Sequence, residues 1–368
     1  MRKFIQNRCK YQIELLLEKN NYEYICNLTF NHFLMAAKTN SIAQTSRNNM
    51  IQVFRALSII SVIMIHTTPL GECQAFCRPF INFSVATFLF LSGYLTKIEN
   101  DNWFSFCKKR IIRVLIPYVI WTVIYTLPSI ISGQESVLQI AKNLVTARAA
   151  ATLYYIFVYI QFVLLTPFLS KLAKSKYRNL GWFVAPVSMI IFKYSFWLTD
   201  LSSNSIISLF WTDACLGWFT FYYLGLLLGN KILKPQFSLK NLTFIYIAAL
   251  ILEAAEGYGL LRIGEVDCGT QLKLTSLLSS SIFLLIVYTI LDNPSINIKS
   301  RVLRSIGDLS FGIYLCHIMI MLLLERVSFY NVLPFPLTSV IVVLISWGFC
   351  YFANRICSSK LSRWLGLQ

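Results

Sequence analysis

The chain has 368 residues, 56% of them hydrophobic and 13% charged, with a formal net charge of +17. Soluble globular domains average about 25% charged residues, so an ordinary water-soluble fold is excluded and a bilayer is indicated. A basic balance of this size could suggest nucleic acid, but the placement of the cations, described below, argues against that partner.

Residues 1–49 are polar and basic, carry His32, and lack the apolar core and small-residue cleavage site of a secretory signal. They are expected to be a cytoplasmic extension, either an interfacial helix around IELLLEKNNYEYICNL or a poorly ordered segment. Ten apolar blocks follow, at 50–69, 79–96, 111–131, 152–169, 182–199, 206–229, 241–257, 275–291, 307–325 and 333–354. Each is long enough to cross a hydrocarbon core of about 30 Å as a helix, whereas strands of a membrane barrel would be about ten residues long and alternating. The expected fold is therefore all-α and polytopic, with about ten transmembrane helices and both termini cytoplasmic. Residues 50–356 form the membrane domain and 357–368 a short cytoplasmic tail.

With the N-terminus inside, the inner segments hold 24 of the 33 Lys and Arg residues and the outer loops only six. That asymmetry is the positive-inside pattern, so the charge reports topology and attraction to anionic headgroups. Ten cysteines are scattered mostly within apolar blocks, where they act as small hydrophobes. Cys73 and Cys77 alone cluster; a CxxxC without two further ligands is a weak metal signal, and the pair is read as free thiols or, in an oxidising compartment, a disulfide. No metal is expected.

Ionisable residues inside spanning helices are costly and for that reason are functional candidates. In FRALSIISVIMIH, Arg55 and His66 are eleven residues apart, about 20° past three helical turns, so one face carries both at a separation of about 16 Å. In KKRIIRVLIPY, Arg110 and Arg113 lie at i, i+3 at the start of the third helix, which makes an anion site. Snorkelling and headgroup anchoring explain Lys108 and Lys109 well and Arg113, one turn deeper, less well. Lys193 stands alone in its helix, as a snorkelling or cavity-facing residue.

Taken in order, these residues resemble acyltransferase family 3, the integral-membrane O-acyltransferases that acylate sugars of bacterial surface polysaccharides. The resemblance covers about residues 48–356. It is carried by R-x10-H (Arg55, His66), R-x-x-R (Arg110, Arg113), FLFLSGYL (88–95), TPFL ending the fourth helix, GWFTFYYLGLLLG (217–229) and LSFGIYLCHIMI (309–320). Where many members read H-L-W-F-L, this chain has TLYYI (152–156), with Thr152 for the His and Tyr154 for the Trp.

The resemblance implies a membrane O-acyltransferase of the bacterial inner membrane, foremost an O-acetyltransferase, that uses acyl-CoA, foremost acetyl-CoA, as donor substrate, with no bound cofactor. The acceptor would be a cell-envelope carbohydrate or lipid-linked glycan precursor. Arg55, Arg110 and Arg113 would hold the acyl-CoA phosphates, since guanidinium groups stay charged and bind phosphate bidentately. His66 would act as general base on the acceptor hydroxyl, or pass through a transient acyl-histidine. Ser92, Tyr94, Tyr154 and Tyr155 would line the cavity. Glu72, Asp213, Glu253 and Glu256 are candidates for a carboxylate that orients His66, and His317 matches the late family histidine. From composition alone the rival reading is a transporter or glycan flippase, but the halves show no repeat of the kind common in transporters.

Overall fold

The computed structural model describes residues 48–100, 102–194, 214–293 and 295–367. Residues 1–47, with His32, lie outside the described residues, as do Asp213 and the side chain of Lys193. The described residues are helical and contain no strand.

In chain order the helices are α1 (Asn48–Thr67), α2 (Glu72–Cys77), α3 (Phe83–Tyr94), α4 (Trp103–Ile131), α5 (Leu138–Thr146), α6 (Tyr154–Lys174) and α7 (Gly181–Met189). They continue with α8 (Phe219–Gly229), α9 (Leu239–Arg262), α10 (Leu274–Asp292), α11 (Arg301–Asp308), α12 (Ser310–Leu324), α13 (Ser328–Asn331), α14 (Leu337–Ile356) and α15 (Ser359–Trp364). A 3-10 turn, Arg78–Phe80, joins α2 to α3, and the two make one apolar span.

Among the described residues, seven such spans are long and apolar enough to cross a bilayer, and an eighth is formed if α11 and α12, bent by 79°, count as one. The chain is thus a multi-pass membrane protein. The sequence predicts ten crossings. The blocks at 182–199 and 206–229 are represented by the shorter helices α7 and α8, and the segment between them, 195–213, lies outside the described residues.

α1 is the central strut. Of its apolar window 61% is buried within the protein, against 22% for the peripheral α9, so α1 packs on protein where α9 presents Phe244, Ile251 and Leu252 outward. That outward apolar surface is the expected lipid face.

Two backbone contacts set the geometry around α1. Helix α3 crosses α8 so closely that a Cβ at Gly225 would sit 2.1 Å from the Phe90 carbonyl oxygen, and one at Gly229 2.0 Å from that of Tyr94. This is the close approach that small residues permit between membrane helices. Gly307 meets the Gln52 carbonyl on α1 in the same way, at 2.1 Å, and so brings the α11–α12 elbow against the Arg55 end of α1.

A buried polar knot ties α3, α9 and α10 at the other end. Glu253, with no exposed surface, accepts hydrogen bonds from Asn82 Nδ2 and Ser276 Oγ, both at 2.6 Å, and from Ser279 Oγ. The equally buried Lys273 donates to the carbonyls of Glu253 at 3.2 Å and Cys268 at 3.1 Å. Burial pushes the Lys273 ammonium below the usual lysine pKa, and the negative charges of Glu253 and Glu256 oppose that shift.

The residues after α14 do not stand away from the bundle. Trp121 Nε1 on α4 donates to the Leu365 carbonyl at 3.2 Å, and Leu367 is buried against the position of Gly312 on α12.

The glycine crossing predicts that Gly225→Leu abolishes a monodisperse folded species in detergent, and that Gly225→Ala lowers the thermal unfolding midpoint by an amount matching about 1–3 kcal/mol of overpacking. Glu253→Ala removes the acceptor shared by three buried donors and leaves them only their longer bonds to the Gly269, Thr270 and Ser276 carbonyls, so the midpoint is expected to fall. Fluorescence-detected thermal unfolding of the purified protein measures both.

Candidate functional site

The site is built from the two ends of the α1 face that carries Arg55 and His66. Nothing breaks the helix between them. Ser58 closes one of its turns by donating to the Phe54 carbonyl at 2.8 Å. The far end is pinned by Thr67, whose Oγ1 lies 2.7 Å from Ser339 Oγ of α14.

At the arginine end, a cavity of about 380 Å³ lies between α1, α3, α4, α6 and the α11–α12 elbow. Arg55, Arg110, Arg113, Ser92 and Tyr155 all contribute to its wall. Three guanidinium groups from two helices therefore face one space. Arg110 is held by the Phe106 ring, with Cζ 4.6 Å from its centre, and donates from Nη1 to Ser92 Oγ at 3.5 Å. Arg55 lies within electrostatic reach of Arg113, Tyr155, Asp308 and Tyr159. Like charges this close in an apolar surround repel, and an anion between them removes the repulsion.

Sequence reasoning missed Asp308 and Tyr159, which share that wall. A signal for Tyr159 was present, since Tyr155 and Tyr159 at i, i+4 occupy one face of α6. Asp308 gave none: it sits at the elbow, and only the Gly307 contact on α1 brings it to Arg55. Tyr94 and Tyr154 lie outside the cavity wall. Tyr94 stacks on Phe90 at 5.8 Å between ring centres and packs where α3 crosses α8. Tyr154 lies on the histidine side, within the field of Arg78.

His66 itself is beyond the wall. Val62, one turn nearer Arg55, is a wall residue, as are Tyr155 and Tyr314, whose rings meet edge-on at 5.6 Å. The Tyr314 hydroxyl is anchored on the Thr152 carbonyl, so Thr152 supplies its backbone to this part of the site. Past these tyrosines, the His66 ring lies 5.5 Å from that of His317.

Arg78 is the third residue missed. Although it is one of the six outer-loop cations of the sequence, it is 9% exposed, and its Nε has no hydrogen-bond partner among the described residues. Its stem packs on Gly269, where a Cβ would come within 2.6 Å of Arg78 Cγ. It lies within electrostatic reach of His66 and Asp267.

Two of the candidate carboxylates, Glu253 and Glu256, serve other partners. Glu253 belongs to the buried knot. Glu256 accepts from Tyr194 and Thr275 side chains and from the Thr275 amide at 3.4 Å. Glu72 is exposed at the start of α2.

Cys73 and Cys77 are free thiols with sulfurs 3.8 Å apart on α2. Among the described residues no cluster of three His, Cys, Asp or Glu side chains could hold a metal.

No curated protein and no solved structure matches the chain significantly. The family model of an acyltransferase domain, Acyl_transf_3, matches residues 48–354. That match takes in every arginine and both histidines of the site, and the chain belongs to the acyltransferase family 3 membrane proteins.

Proposed function

We propose that the protein is a membrane O-acetyltransferase that moves an acetyl group from cytoplasmic acetyl-CoA to a hydroxyl of a cell-envelope carbohydrate or lipid-linked glycan precursor in the bacterial inner membrane. The observation that carries the reading is the convergence of Arg55, Arg110 and Arg113 on one cavity, three helical turns from His66 on a single unbroken helix.

A coenzyme A thioester is a phosphate-rich anion on a long arm. Its phosphates suit a cluster of guanidinium groups, because each can bind two oxygens and none can lose its charge. The pantetheine arm, extended, reaches on the order of 15 Å, which is the length of α1 between Arg55 and His66. The thioester then arrives at the histidine past Val62, Tyr155 and Tyr314.

At that point His66 accepts the proton of the acceptor hydroxyl while the oxygen attacks the thioester carbon. A tetrahedral intermediate forms, its carbon–sulfur bond breaks, and the proton passes from His66 to the departing thiolate. The charge of Arg78, on the acceptor side of His66, favours the oxyanion of that intermediate.

Membranes containing His66→Ala are expected to transfer radiolabelled acetyl from acetyl-CoA to glycan at least about 10²-fold more slowly than wild type, and an unchanged rate would remove His66 from the chemistry. For Arg113→Ala, loss of a charge-assisted phosphate contact should weaken donor binding by about tenfold or more. Isothermal titration of the purified protein with acetyl-CoA measures this. Unaltered affinity would return Arg113 to headgroup anchoring.

A further inference from the structure

His317 lies inside the bundle with no exposed surface. The turn of α12 that holds it is braced from α4: the Tyr125 hydroxyl donates to the Leu315 carbonyl at 2.8 Å and accepts the Met319 amide at 3.1 Å. The ring is oriented as tightly. Its Nδ1 is 2.8 Å from the Tyr314 carbonyl oxygen and 3.1 Å from that of Ile313. Carbonyl oxygens only accept, so Nδ1 carries a hydrogen, and in the neutral ring Nε2 is a bare lone pair. This nitrogen is buried and has no hydrogen-bond partner among the described residues.

The neighbouring ring is His66, with centroids 5.5 Å apart and planes inclined at 50°. The nitrogens lie on the ring perimeters, nearer one another than the centres are, so this spacing admits an N–H···N contact of about 3 Å after a small ring rotation. The described carboxylate candidates do not compete for the place, since Glu253 and Glu256 are bound by α10 hydroxyls and Glu72 is exposed.

We propose that His317 is the positioning residue of the site: its Nε2 accepts the N–H of His66 and so keeps the other His66 nitrogen unprotonated and directed to the acceptor hydroxyl. The proposal rests on the reading of His66 as general base. During transfer the hydroxyl proton moves to that free nitrogen and then to the thiolate, while His317 neither gains nor loses a proton. A neutral acceptor does this without placing a second charge in the apolar interior, which a buried carboxylate would require.

The chain has three histidines, so a His32→Gln background leaves only the two rings in question. In the full-length protein with nitrogen-15 histidine, the expected result is a single His66 tautomer with a through-hydrogen-bond coupling to His317 Nε2. His317→Asn keeps a donor for the Tyr314 carbonyl but removes the acceptor. It should give a mixed His66 tautomer and lower kcat by about 10²-fold, with the KM for acetyl-CoA unchanged. His317→Gln, which can return an oxygen to the Nε2 position, should recover at least about tenfold of that loss. An unaltered His66 tautomer in His317→Asn, or equal kcat in the Asn and Gln variants, would overturn the proposal. Absence of any acyl transfer by the wild-type chain would instead overturn the functional reading, and the ring coupling would still decide the contact.

Discussion

The rest of the site depends on the unbroken run of α1 from Arg55 to His66. An α-helix advances about 1.5 Å and 100° per residue, so eleven residues put a guanidinium and an imidazole on one face at a set distance. Neither residue sits comfortably in hydrocarbon, and both are retained because the helix is enclosed by protein for most of its length. What surrounds α1 therefore decides what the two groups can do. At one end it meets two more arginines and an acidic elbow. At the other it meets a second histidine and a buried guanidinium.

The packing that encloses α1 relies on small residues and on a few saturated polar groups. Between membrane helices there is little hydrophobic drive, because lipid tails are as apolar as the side chains they would replace. Close backbone contact at Gly225, Gly229 and Gly307 and the Glu253 hydrogen-bond knot supply specificity instead. The Gly307 contact has the most direct consequence for function, since it seats the α11–α12 elbow on α1 and sets Asp308 beside the arginine cluster. The polar knot lies at the opposite end and leaves its carboxylates no freedom to serve His66.

The site also divides into two chemical environments. Three arginines, two serines and an aspartate enter the otherwise apolar and aromatic wall of the cavity, and the concentrated positive charge suits an anionic ligand. His66 has the His317 ring beside it and the Arg78 guanidinium within electrostatic reach, which suits a reacting carbonyl whose charge develops only in transit. Tyr155 and Tyr314 separate the two, with Tyr314 tethered to the Thr152 carbonyl. In the proposed reaction this partition keeps the phosphates and the chemistry at opposite ends of one helix.

Much of this was legible in the chain. Composition and cation asymmetry define the membrane class, periodicity places Arg55 with His66 and Arg110 with Arg113, and the ordered motifs point to the family that the profile match establishes. These features are local or depend on regular helical spacing, which a linear sequence encodes directly. Contacts between distant segments are not encoded that way. Arg78 reads as an ordinary loop cation until α9 and the 268–273 segment bury it, and Asp308 is unremarkable until a glycine lets α11 touch α1. The carboxylates looked like partners for His66 by depth alone, but depth does not say which neighbour a side chain faces. Only the tertiary structure assigned Glu253 and Glu256 to α10 and set His317 beside His66, because that pairing joins residues 251 positions apart through the packing of α12 on α1.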